Sequence, residues 1–123
     1  MTDYLTLGND GRLVDREGKT LELKRDLSSP AGPLRTITAF ANSAGGRLVI
    51  GIADDGTVVG VEDPLAEEER VASLIDDWIS PQLVPAIDLV PLTDKTVLVV
   101  DVPLSTRRPH YITRQGPEAG VYV

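Results

Sequence analysis

The chain has 123 residues, 41% apolar and 25% charged, which is enough for one compact domain with one core and too short for a second independent one. No apolar run approaches the length of a membrane span or a signal-peptide core, so a cytoplasmic domain without a membrane partner is expected. The absence of cysteine excludes disulfides, thiolate catalysis and cysteine-ligated zinc, one histidine disfavours imidazole metal sites, and a net charge of −7 argues against coating a phosphate backbone by overall charge.

Residues 1–13 read as a polar N-terminal arm, with Gly8-Asn9-Asp10-Gly11 as a turn signal and a first short strand near Arg12 to Val14. The domain proper is expected over 14–123. Its first clear strand is Thr20 to Lys24, where alternation sends Leu21 and Leu23 to the core and puts Glu22 and Lys24 together on the opposite face. A loop through Pro30 and Pro33 follows. Leu34, Ile37, Phe40 and Ala41 then fall on one face of a helix over Leu34 to Ser43, which Gly45 and Gly46 close by adopting conformations that most side chains resist. The next strand, Arg47 to Ile52, is too continuously apolar to be wetted on one side. With the acidic turn Ala53-Asp54-Asp55-Gly56-Thr57 and Val58 to Val61 it reads as a β-hairpin.

A second helix is predicted from about Pro64 to Ile79, with Val71, Leu74, Ile75 and Trp78 on its apolar face. Pro64 and the acids Glu67 to Glu69 suit its first turns. Trp78 reads as core packing, not a stacking platform. After Ser80-Pro81, Val84 to Leu92 and Thr96 to Val102 form an antiparallel hairpin around Thr93-Asp94-Lys95, and Tyr111 to Thr113 with Val121 to Val123 suggest a last hairpin around Gln115-Gly116-Pro117. The fold class is therefore α+β, a mixed or antiparallel sheet with about two packed helices.

Two strings carry more than structure: Glu22-Leu23-Lys24, and Ala39 to Gly46 running into Ile50-Gly51-Ile52. Followed by Asp54-Asp55-Gly56, Val59-Gly60-Val61, Val100 to Ser105, Pro109 and Tyr111, they resemble the AlbA-type domain of the Schlafen family in order and spacing over roughly residues 14–123. Asn42, Gly45, Gly46 and Gly51 are the structural positions of that pattern. The family pattern goes on to an arginine and a glycine where this chain ends at Val121-Tyr122-Val123, so the domain is expected to be the N-terminal part of a longer protein.

The resemblance implies a nucleic-acid (DNA) binding domain of a bacterial transcriptional regulator. Because the net charge is acidic, binding would need a local patch, and Lys19, Lys24, Arg25, Arg47, Arg107 and Arg108 are the candidates for phosphate contacts. Read without the resemblance, they are scattered solvated side chains. A second implication is enzymatic: Glu17, Glu22 and Asp54 match three acidic residues that vertebrate Schlafen proteins require for RNA cleavage, and such a set could hold Mg²⁺ or Mn²⁺. In one regular strand Glu17 and Glu22 would face opposite ways, so Gly18 would have to bend the chain. The plainer reading is a Glu22–Lys24 surface ion pair, Glu17 in a turn and Asp54-Asp55-Gly56 as turn chemistry.

ATP hydrolysis is discounted, because G-x-x-x-x-G-K-[ST] is missing and Gly45-Gly46 leads into a strand instead of a helix N-terminus. Asn42, Ser43 and Ser105 either brace turns or face a ligand, and His110 reads as structural or surface. A third reading is a protein-interaction module. Relatives often pair two such domains, so a homodimer is a further expectation.

Overall fold

In the computed structural model, which describes residues 5–123, the two most apolar segments lie side by side at the centre of a four-stranded sheet. They are β2 (Gly46–Ile50) and β5 (Lys95–Val102), paired antiparallel. β1 (Leu21–Lys24) runs parallel to β2 on one edge, and β4 (Ala86–Leu92) runs antiparallel to β5 on the other. The sheet is thus mixed, in the order β1-β2-β5-β4.

Both faces of the sheet are covered, which is why its central strands show no polar alternation. On one face lie α1 (Ala31–Asn42) and α2 (Pro64–Trp78), whose Leu34, Ile37, Phe40, Val71 and Ile75 pack against Leu48, Ile50, Leu98 and Val100. On the other face Val49, Val97 and Val99 meet Val90 of β4, together with Leu5, Leu13 and Ile52. The Arg12 to Val14 strand is absent. A single bridge, Leu7 to Leu13, holds this segment, and Leu5 and Leu13 are buried within what reads in sequence as a polar arm. Residues 1–4 of that arm lie outside the described residues.

α1 starts at Ala31, ahead of the expected Leu34, because Pro33 falls in the first turn, where a missing N–H costs no helical bond. α2 has Pro64 at its start, and the Asp63 carboxylate accepts from Ala66 N–H at 3.2 Å. Trp78 is half-buried against the helix-side core, with the Arg114 guanidinium 5.8 Å from its ring centroid.

Two expected hairpins are not formed. Between Arg47–Ile52 and Val58–Val61 there is one bridge, Ile52 to Val58, because Gly51 turns the chain out of the sheet at φ +114° and its carbonyl accepts from both Val59 and Gly60, each at 2.9 Å. A side chain at Gly51 would meet the Gly60 backbone at 3.1 Å. At the end of the chain, β6 (Tyr111–Ile112) pairs instead with β3 (Ile79–Ser80), directly after α2. Gly116 at φ +84° and Pro117 then set up a 3₁₀ turn (Thr113–Gln115) and the short α3 (Gly116–Ala119), so Val121 to Val123 has no strand partner within this segment. Among the described residues no helix is long and apolar enough to cross a membrane.

Since Leu13 is 7% exposed in the second core, Leu13→Ala should lower the unfolding free energy by about 2–3 kcal/mol, read as a lower urea midpoint at unchanged slope. A detached polar arm would leave the midpoint where it was.

Candidate nucleic-acid interface

Asn42, the last residue of α1, ties the helix end to chain far away in sequence. Its Nδ2 donates to the carbonyls of His110 at 2.9 Å and Tyr122 at 2.8 Å, and its Oδ1 accepts from His110 N–H at 2.8 Å. Two donors and one acceptor in this arrangement are what a carboxamide provides and a carboxylate or hydroxyl does not.

The same His110 is fully buried and anchors a second chain of bonds. Its Nδ1 lies 2.9 Å from the Pro81 carbonyl, which can only accept, so Nδ1 carries the proton. Nε2 is then the acceptor for the Ser105 hydroxyl at 2.6 Å, while Ser105 Oγ accepts from Arg107 N–H at 3.0 Å. Ser105 N–H in turn donates to the Ala41 carbonyl at 2.9 Å. Together these bonds fix the backbone of the 103–110 loop, which presents the exposed side chains of Arg107 and Arg108.

Strand register shows what stands next to that loop. β1 and β2 begin at the end of the sheet where β5 finishes, with Leu21 opposite Arg47 and Gly46 opposite Val102. Lys19, exposed, lies just before β1, and Arg47 N–H donates to the Thr20 carbonyl at 2.8 Å. That end of the sheet therefore carries Lys19 and Arg47, and the loop with Arg107 and Arg108 leaves β5 there. Arg47 is half-buried and directly across from Asp101.

The glycines here serve packing. A Cβ on Gly46 would sit 2.6 Å from the Phe40 ring, and one on Gly45, at φ +75°, would sit 2.8 Å from the Val102 carbonyl. Close approach of α1, β2 and the end of β5 accounts for both without a ligand.

Lys24 and Arg25 belong to the opposite end of the sheet. Lys24 pairs with Glu22 at 3.2 Å, and Arg25 lines a cleft of about 650 Å³ with Arg70 and Lys95, outnumbered there by Asp26, Glu62, Asp63 and Glu67. Bonds from the Ser28 N–H and hydroxyl hold the Asp26 carboxyl below the usual carboxylate range. The six basic candidates thus form two groups.

The three acids divide as well. Glu17 and Asp54 line one open cleft of about 630 Å³, together with Leu23 and Asp55. Glu22 alternates with Leu23 along β1 and so faces away from that cleft, toward Lys24. The Glu17 carboxylate accepts from Leu23 N–H at 2.8 Å. In the acidic turn Asp55, not Asp54, is bound: it accepts from Thr57 N–H at 2.9 Å, and the bonds from the Thr57 hydroxyl and N–H hold its carboxyl low. Among the described residues no three acidic side chains stand where one cation could bind them together, so the arrangement does not fit a three-carboxylate Mg²⁺ or Mn²⁺ site.

Sequence reasoning noted Ser105 and His110 without joining them to Asn42. The partners are 68 and 80 residues from Asn42 and are bonded through their backbone groups, so no local pattern reveals them. Asn42→Ala should cost about 2–4 kcal/mol, for three lost bonds and unpaired part-buried carbonyls, and Asn42→Asp nearly as much because it cannot donate to them; urea unfolding measures both.

Comparison with known proteins agrees with this architecture. The chain is 32% identical to the N-terminal domain of a protein from Nitrosomonas europaea named as RecG-related, within a name that reads ATP-dependent DNA helicase; the match covers 89% of this chain and 79% of that one at a TM-score of 0.69. The DIP2311 protein from Corynebacterium diphtheriae shares the fold at 18% identity and a TM-score of 0.64, over 87% of this chain and 22% of that protein. Residues 17–123 match the family described as Schlafen, AlbA_2, which spans β1 to the last residue and takes in Asn42, the paired glycines and the 103–110 loop: the chain belongs to the Schlafen AlbA_2 family.

Proposed function

We propose that the domain binds nucleic acid, duplex DNA first, through phosphate contacts at the end of the sheet carrying Lys19, Arg47, Arg107 and Arg108, within a bacterial transcriptional regulator or helicase-associated protein. The observation that carries the reading is the 103–110 loop. Arg107 and Arg108 are exposed on a backbone held by Ser105, His110 and Asn42, so two guanidinium groups project from a fixed platform. Arginine suits phosphate because its planar fork donates two parallel bonds. A chain of net charge −7 cannot bind a polyanion by its overall field, which makes a local cluster the requirement. Family membership and the RecG-related neighbour support a role beside DNA.

Fluorescence anisotropy with labelled duplex DNA over a salt series tests this. Affinity should fall steeply with salt, and the double variant Arg107→Glu, Arg108→Glu should weaken binding at least about tenfold and flatten the slope by about 2. Binding that ignores both salt and the double variant would refute the proposal.

A further inference from the structure

The two edges of the four-stranded sheet differ in how their backbone groups are used. On β1 the outer edge is closed by its own chain: Leu23 N–H bonds the Glu17 carboxylate at 2.8 Å and the Leu21 carbonyl accepts from Gly18 N–H at 3.0 Å. The direction of the groups on β4 follows from its register. Thr96 is opposite Pro91, yet the Thr96 carbonyl accepts from Val61 N–H at 2.8 Å on the far side of β5. Pro91 and Thr96 are therefore a non-bonded pair, and the backbone groups of Pro91, and by alternation of Leu89 and Ile87, point outward. This also explains how a proline fits here, since its missing N–H costs no ladder bond. Among the described residues no group of the domain bonds to that edge.

The side chains along the edge are apolar. Ile87 and Leu89 are half-buried against the helix-side core, Val84 just before the strand is 79% exposed, and Asp88 is the one charged residue of β4. An open, apolar strand edge of this length is a template for another strand.

We infer that β4 pairs antiparallel with β4 of a second copy of this chain, about a two-fold axis at Leu89, joining two sheets into one. The strand is its own complement in this register. Leu89 bonds the same residue of the partner in both directions, and Ile87 N–H donates to the carbonyl of the partner's Pro91, so both outward N–H groups find acceptors within β4. Asp88 falls opposite the partner's Val90. An axis at Asp88 would set two carboxylates face to face, and an axis at Ile87 would send Leu89 N–H to Pro85, outside the strand. An isologous contact of this kind closes after two copies. The inference stands independently of nucleic-acid binding.

The chain has no cysteine, so Leu89→Cys introduces a single thiol. Across a bonded antiparallel pair the two Cα atoms lie about 5.5 Å apart, within disulfide reach. Light scattering of the unaltered chain should show a dimer forming between about 10 µM and 1 mM, because strand pairing with a narrow apolar margin is smaller than a standard interface. Mild oxidation should convert Leu89→Cys to a reducible dimer much faster than Ser73→Cys, placed on the exposed side of α2. Ile87→Pro, which removes an outward N–H and leaves the β5 ladder intact, should raise the dimer Kd at least about tenfold while circular dichroism reports an unchanged fold. If Ile87→Pro unfolds the domain, the cross-linking comparison decides. A monomer up to about 1 mM, or a dimer in which Leu89→Cys links no faster than Ser73→Cys, overturns the inference.

Discussion

The carboxamide of Asn42 is the joint on which the C-terminal third of the domain depends. α1 ends there, and three bonds from one side chain fix where the chain near His110 and Tyr122 must lie. Without them, β6 would keep its two-residue pairing with β3 and the Ile112 N–H bond to the Gly120 carbonyl, but the His110 and Tyr122 backbones would lose their ties to the end of α1. Glutamine carries the same groups one methylene further out, and aspartate lacks the donors. The constraint therefore explains the asparagine at this helix end, while the chain it holds at His110 and Tyr122 is recognised through backbone groups alone.

The central sheet supplies the frame for that joint. β2 and β5 are walls shared by two apolar clusters, so Leu48 and Ile50 belong to the helix side while Val49 belongs to the other. Interiors of this kind are close-packed and pass displacements on. The cleft lined by Glu17 and Asp54 stands beside the second cluster, and the 103–110 loop is bonded to Ala41 of the first.

Much of this was legible in the sequence because it was local. The 3.6-residue spacing of Leu34, Ile37, Phe40 and Ala41 marked α1, and the unbroken run Leu48-Val49-Ile50 marked a strand covered on both faces. Alternation around Leu23 already separated Glu22 from Glu17. What stayed hidden was long-range or aperiodic. The pairing of Ile79 with Ile112 leaves no trace in either segment, and Leu5 and Leu13 are too sparse among polar residues to suggest a buried face. Gly51 looked like part of a strand because only its positive φ reveals that the chain departs there. At the candidate interface, residue type suggested six cations, and only strand register shows that Lys19 and Arg47 stand at the end where the 103–110 loop leaves β5, and Lys24 and Arg25 at the other.

The 103–110 loop carries a thermodynamic consequence. Loops that close on a ligand usually surrender backbone freedom at that moment, and the loss subtracts from affinity. Here the peptide groups of Ser105, Arg107 and His110 are already committed to the Ala41 carbonyl, a serine hydroxyl and Asn42. Whatever meets the two arginines need only still their side chains, so the ordering of the loop is settled when the domain folds.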